Sequence, residues 1–436
     1  MSAPRPGVAM LGPLRIRDFR LLWTGMTVSL LGDGIFYVAI AWQVYELSDA
    51  PTALSTVGLA MSLSQVVFLL LGGVASDRFD RRRVMLAADL LRAVVIGLLG
   101  LLALAGSLQL WHLIILTSIY GMGAGFFGPA FDAIVPDLVP DGLLAQANSL
   151  DQILKPTALR LAGPAVGGWL IAAWGTGGAF LLDAASFLVS AAMLTRVKPQ
   201  SRHAAEATPT SPLHEMREGF RFVRWHVWLW GTFLAATFAY LLFVGPTEVL
   251  VPFVVKHDLG GSARDLGLVF SVGGLGAVAG AFLVGHRGLP GRHISFMYLT
   301  WSLATLSVAG YGLATSVWQL MLASLAFNAL EAAGTVVWAT TKHRMVPAAL
   351  LGRVSSFDWF ISIGLLPLSF AATGPVAEAI GVRTTLIAAG VLGAVVTLGF
   401  LFLPGMRAIE RGQLSTDSPH DQTPTTGAAA TGADRR

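Results

Sequence analysis

Gly73-Val74-Ala75-Ser76-Asp77-Arg78-Phe79-Asp80-Arg81-Arg82-Arg83 is a short, strongly basic connection between two long apolar runs, 53–75 and 84–106. A bilayer core needs about 20 apolar residues per helix, so each flanking run is long enough to cross one. Arginines packed into a tight turn between two such runs belong on the cytoplasmic side of a membrane. The segment therefore points to a membrane protein, and the same ruler extends along the chain.

Outward from it, twelve windows qualify: 20–45, 53–75, 84–106, 111–133, 144–173, 178–195, 226–251, 265–285, 293–312, 317–339, 354–378 and 383–403. Composition agrees. The 436 residues are 54% hydrophobic and 12% charged, whereas an ordinary soluble domain is about one quarter charged. Mean hydropathy is +0.67. The net charge of +4 does not imply a nucleic-acid partner, because no basic stripe is interleaved with exposed aromatics. Cysteine is absent, which excludes disulfides, thiol catalysis and Cys-ligated metals, and no cofactor or metal is expected. Arg5, Arg15 and Arg17 precede the first window and Arg20 opens it, with no small-residue cleavage site after it, so that window is expected to be a retained helix. There is no H-E-x-x-H, no G-x-S-x-G and no phosphate-binding Gly-rich lysine loop, so an enzyme is not expected.

Six windows precede the most polar internal stretch and six follow it. The expected organisation is an N-terminal six-helix bundle over 1–195, a cytoplasmic linker over 196–225, a C-terminal six-helix bundle over 226–403 and a disordered cytoplasmic tail over 404–436. Within the linker, Met216, Phe220 and Phe222 alternate with Glu215, Arg217, Glu218, Arg221 and Arg224, a pattern that suits a helix on the membrane surface. With the N-terminus cytoplasmic, 23 of the 29 Lys and Arg residues fall on that side. Lys256, Arg264 and Arg383 fall opposite, and Arg92, Lys155 and Arg160 lie inside windows. This bias predicts cytoplasmic termini on both ends of a multi-pass inner-membrane protein.

The halves repeat. The thirteen residues from Val139 to Asp151 align without gaps on those from Val346 to Asp358, and Gly58, Ser62 and Arg78 align in a second match on Gly267, Ser271 and Arg287. Two six-helix halves in parallel orientation predict a rocking transporter with its substrate site near the midplane between them.

Ionisable groups at membrane depth are costly and mark function or tight pairing. Asp33 lies near the middle of the first window, either as a proton- or cation-binding carboxylate or as a hydrogen-bond partner to a neighbouring helix. Arg160, in the fifth window, is expected to meet Asp33 or another first-half carboxylate, or a substrate. Asn148, Asp151 and Lys155 form a stripe read equally as an internal salt bridge or as a substrate contact. Glu331, which aligns on Ala124, is a candidate cavity residue. Glu248 and Glu378 lie towards the external ends and read as hydrated. Asp89 and Arg92, one turn apart, are expected to pair and snorkel to the cytoplasmic surface. Phe36, Trp42, Phe126, Phe127, Trp338 and Trp359 are candidates for an aromatic cavity lining or for lipid contact.

Read by its charge alone, the segment from Gly73 to Arg83 is a positive-inside anchor. It also resembles motif A of the major facilitator superfamily, G-x-x-x-D-R-x-G-R-R, with Asp80 in place of the second glycine. The resemblance implies a conformational latch of Gly73, Asp77, Arg78 and Arg81. In it Asp77 docks at the N-terminal end of the eleventh helix and Arg81 bridges to Asp132, shutting the cytoplasmic face. The second-half copy, Gly285 to Arg292, lacks the aspartate. Gly163-Pro164-Ala165-Val166-Gly167-Gly168 can serve close helix packing, and it also resembles the G-P-x-x-G-G core of motif C, a mark of exporters, with Leu159 where a further glycine is usual. Motif B would put an arginine at Thr117, and that coupling scheme does not carry over. The segments 17–23, 31–33, 147–149 and 351–356 are similar to the branch that holds macrolide, multidrug and siderophore exporters.

What the resemblance implies is an all-α membrane protein of twelve helices that exports small, largely apolar molecules by proton-coupled alternating access. Its expected partners are a small-molecule substrate such as a drug or siderophore-like metabolite, protons and the lipid bilayer, with the protein working as a monomer. An importer or facilitator on the same fold is the alternative.

Overall fold

The computed structural model describes residues 11–198, 212–347, 350, 351, 353–355, 357, 358 and 364–411. Among the described residues there is no strand. The helices are α1 (Arg17–Leu47), α2 (Pro51–Arg78), α3 (Arg81–Leu104), α4 (Leu110–Leu138), α5 (Asp141–Pro156) and α6 (Gly163–Arg196). They continue with α7 (Pro212–Trp225), α8 (Val227–Phe253), α9 (Ala263–Arg287), α10 (His293–Leu313), α11 (Val317–Met345), α12 (Leu366–Ile380) and α13 (Val382–Leu401). Nine helical runs among the described residues are long and apolar enough to cross a membrane. One of them, Gly142–Arg196, carries both the fifth and sixth windows. α6 changes direction at Gly175, whose φ of 70° is open to glycine and strained for other residues. α10 meets the ninth window, and α12 meets the described part of the eleventh.

Local chemistry sets the helix ends. Pro51 opens α2 at a position where its missing N–H costs nothing. Asp80, the residue that departs from the glycine pattern, is the N-cap of α3: its carboxylate accepts from Arg83 N–H at 3.1 Å. An Asp at that position satisfies an otherwise orphaned donor, worth about 1 kcal/mol. Ser262 and Asp265 form a reciprocal capping box at the start of α9. A π-helical segment, Thr157–Ala162, joins α5 to α6 and carries Arg160. Such insertions in an α-helix mark functional positions more often than chance.

Two faces of the bundle are distinguishable. The basic face holds Arg20, the turn from Arg78 to Arg83, and Arg287; the opposite face holds the connections near residues 48–50, 106–109, 259–262 and 381. Buried apolar residues form one cluster on the opposite side and two separate ones on the basic side. The first joins both halves, with Phe36, Val44 and Phe180 beside Val249, Leu266 and Leu320. On the basic side, Phe19, Met85, Ile134 and Leu154 make a cluster from the first half. Trp228, Tyr298, Trp338 and Met406 make another from the second. Since close packing is what joins helices within a membrane, the described bundle is closed at the opposite face and parted at the basic face.

Candidate functional site

Contact between the halves depends on residues without bulk. The repeat-related Gly58 and Gly267 both sit at this seam. A Cβ on Gly58 would collide with the Phe370 ring of α12; one on Gly267 would stand 2.6 Å from Pro164 O and 2.9 Å from Gly168 Cα. Ser62 and Ser271 each bond back to their glycine's carbonyl, at 2.7 and 2.6 Å. Nearer the opposite face, Thr52 Oγ1 donates to Glu378 at 2.8 Å, and Tyr45 OH donates to Val249 O at 2.8 Å. Glu378 is exposed, as expected, and also ties α2 to α12. The 163–168 stretch serves both sides of the seam. Gly163 and Pro164 press on Gly34 of α1, while Gly168 presses on α9.

Arg160 faces this seam from the π-helical segment. Its side chain is 54% exposed and lies 3.7 Å from Glu331 of α11, itself 21% exposed, and 3.5 Å from Asn328. The expectation of a first-half partner is corrected: Arg160 meets a carboxylate of the second half. The structure also brings Asp151 and Lys155 together at 2.6 Å on one face of α5. Asp151 lines a cavity of about 270 Å³ with Asp132, Asn148, Phe131 and Trp23, on the basic side of the first half. Its repeat mate Asp358 accepts from Lys342 at 2.7 Å and from the Trp338 indole at 3.0 Å. Both halves therefore give this aspartate a lysine partner, from different helices.

Asp33 lies elsewhere, inside the first half, only 7% exposed. The Tyr120 hydroxyl donates to it. Asp89 and Arg92 of α3 are paired at 2.5 Å, and their exposures of 0% and 4% overturn the expectation that they snorkel. The guanidinium is instead held over the rings of Phe127 and Phe187, at 4.6 and 4.3 Å. A third carboxylate, Asp183 of α6, is 0% exposed and lies against the α1 backbone, where a Cβ on Gly32 would collide with it. Asp183 was missed in the sequence although the criterion that selects Asp33, an acid inside an apolar window, selects it too. Tyr120 carries no such signal.

With the basic face parted, the basic turn makes contacts other than those expected of the shut face. Arg81 donates to Asp137 at 2.5 Å and to Ala133 O at 2.9 Å, not to Asp132. The reason is length: α4 runs on to Leu138, so its last turn rather than Asp132 faces Arg81. Arg82 donates to Val197 O at 2.7 Å, tying the turn to the end of α6. Asp77 and Arg78 are exposed, and the first part of the eleventh window, where Asp77 is expected to dock, lies largely outside the described residues. Space around Gly73 is open; the close approach to α4 is made by Gly72, whose Cβ would stand 2.9 Å from Phe126 Cα.

A family model described as a transmembrane secretion effector matches residues 8–425. The chain belongs to this family. It is a multi-pass transporter of the major facilitator type, and its relatives are transporters rather than enzymes. Macrolide efflux protein A of Streptococcus pyogenes is 25% identical over 384 residues, covering 86% of this chain and 93% of its own. Multidrug efflux pump Tap of Mycolicibacterium fortuitum is 25% identical over 427 residues, covering 92% and 97%. A bacterial homologue of the human lysosomal transporter Spinster, solved in an inward-facing and unoccupied conformation, matches with a TM-score of 0.63 at 17% identity. That match covers 96% of this chain and all of that one, and establishes the major facilitator fold.

In this secretion-effector chain most of the candidate aromatics do not line a cleft. Phe36 is sealed against Tyr120 and Phe180, and Trp338 against Trp228 and Phe233. Phe126 and Phe127 pack on Phe68 and Phe131. Trp42 lies under Lys256 at 5.0 Å, near the opposite face. Trp359 lies outside the described residues.

Proposed function

We propose that this transporter exports small, largely apolar molecules by alternating access in exchange for protons, as a monomer in the cell inner membrane with both termini cytoplasmic. The observation that carries the proton reading is Asp33, a carboxyl sealed in the membrane interior beside a tyrosine hydroxyl and two further carboxyls. A charge there has a large incentive to be neutralised, and exchange with protons supplies the means. The names of the efflux relatives, macrolide and multidrug, support the direction and the substrate class. The excess of Lys and Arg on the basic face supports its cytoplasmic placement. The parted clusters on that face then correspond to a cleft open to the cytoplasm, with Arg160 and Glu331 near its apex and the Asp151–Lys155 stripe on its wall. Asp77, Arg78, Arg81 and Asp137 act as the latch when this face closes.

The test is purified protein in liposomes carrying an interior pH dye, with an imposed pH gradient and ethidium as the transported cation. Ethidium-dependent proton movement is expected in the wild type and lost in Asp33→Asn. Movement that survives in Asp33→Asn removes Asp33 as the coupling group. Its absence from folded wild-type protein would falsify proton-coupled export of this cation.

A further inference from the structure

The charges buried in the first half do not balance. Arg92 is committed to Asp89 at 2.5 Å. Asp33 is left with the Tyr120 hydroxyl. Asp183 has less: the Ser186 hydroxyl, 2.7 Å from the Asp183 carbonyl and 3.2 Å from Oδ1, shares its single proton between them. The other carboxyl oxygen, Oδ2, is buried without a hydrogen-bond partner. The charged and titratable groups that act on Asp183 are Asp33 and Tyr37 of α1, Arg92 of α3 and Tyr120 of α4, and Asp89 joins them through Asp33 and Arg92, with one cation among them. Two carboxylates that share one low-dielectric site cannot both stay ionised when the available cation is already paired. The Tyr120 hydroxyl is given to Asp33, whereas Asp183 has only the longer, shared Ser186 hydroxyl.

We propose that Asp183 is a second proton-binding group, which holds its proton while Asp33 is ionised and gives the first half a capacity of two protons. This rests on the proton-coupled reading only for its consequence in transport. The step is a simple dissociation: the Asp183 carboxyl releases H⁺ to water on one side and takes H⁺ back from the other. Asp183 is 0% exposed here, so either event requires α6 to part from α1 at Gly32. Gly32 explains how it gets close enough to matter: only a residue without Cβ there leaves room for the Asp183 carboxyl and Ser186 hydroxyl.

Infrared difference spectroscopy of the full chain in lipid, titrated with pH and without substrate, reads the C=O stretch of protonated carboxyls directly. Asp183→Asn and Asp33→Asn are each expected to remove a different part of the titrating carboxyl band. In liposomes, Asp183→Asn is expected to lower the proton-to-ethidium ratio while exchange persists. A wild-type band left intact in Asp183→Asn overturns the proposal. If that variant does not fold, Asp33→Asn decides: a titrating band that remains supports Asp183, and its complete loss overturns it. Both bands present in a wild type that moves no protons with ethidium would count against proton-coupled export and for proton binding at Asp183.

Discussion

Gly168→Ala tests whether the closed seam at the opposite face is one of two arrangements. A Cβ there would stand 2.8 Å from Ala263 O, 3.0 Å from Gly267 Cα and 3.2 Å from Arg264 Cα. All three are backbone atoms of α9, so no side chain can turn aside. Carbon contacts are comfortable at about 3.5–4.0 Å, so α6 and α9 must separate by roughly half to one ångström. Overfilling a packed site in this way costs about 1–3 kcal/mol. If the other arrangement has no such contact, the ratio between the two shifts by about 5- to 150-fold. The chain has no cysteine, so spin labels can be placed at Leu47→Cys and Ala379→Cys, near the ends of α1 and α12 on that face. Pulsed paramagnetic-resonance distances are expected to gain a longer component in Gly168→Ala. Gly128→Ala, whose Cβ meets nothing within 4 Å, should leave the distribution unchanged. A wild-type distribution together with wild-type transport in Gly168→Ala would refute the idea that this contact is made in one arrangement and lost in the other.

Four further outcomes follow from the geometry. Arg92→Gln strands Asp89 without its 2.5 Å partner, and should cost about 3–5 kcal/mol; thermal melting in detergent checks this, and Asp89→Asn on top should recover most of the loss. Tyr120→Phe removes the donor to Asp33, a penalty of about 1–3 kcal/mol, read in the same melt; an unchanged melt means the hydroxyl contributes nothing there. Arg160→Ala and Glu331→Ala each break a pair that is partly exposed, so stability should move by less than about 1 kcal/mol. Transport should nonetheless weaken through KM, and the double variant should be no worse than the singles. For the basic turn, the charge swap Arg81→Asp with Asp137→Arg is expected to restore transport lost in Arg81→Asp. Rescue by Asp132→Arg instead would restore the motif-based pairing.

Length and apolarity place the described helices because each span must satisfy its own backbone within the bilayer. The repeat was legible for the same reason that it is functional. Gly58 and Gly267 matched because both are squeezed at the seam, and Asp151 and Asp358 because both need a lysine. Partners were harder. The motif resemblance implies Asp132 for Arg81, and the apolar window stops at 133, whereas the helix continues through Pro136 to Leu138 and brings Asp137 to it. Arg160 meets α11 rather than a first-half carboxylate, and it does so from a π-helical turn that no sequence pattern announces. Asp89 and Arg92 stand near an expected surface by residue count. Two phenyl rings from α4 and α6, which no periodicity in α3 reveals, cover them.

The single turn from Gly32 to Gly34 explains how proton binding and the seam can influence each other. Successive residues of a helix point about 100° apart, so these three face three different neighbours. Gly32 receives Asp183 and Ser186 of α6, Asp33 takes the Tyr120 hydroxyl of α4, and Gly34 meets Gly163 and Pro164. The Gly34 contact is backbone to backbone, with a Cβ there standing 2.8 Å from Gly163 Cα and 2.8 Å from Ala158 O. Packed backbones do not deform gradually, so a shift of α1 large enough to admit water to Asp33 must also release or re-seat the start of α6. That start is continuous with Arg160 on one side and with the Gly168–Gly267 contact on the other. Loading the buried carboxyls and opening the seam therefore act on the same few residues, and neither a long relay nor a separate signalling element is needed to connect them.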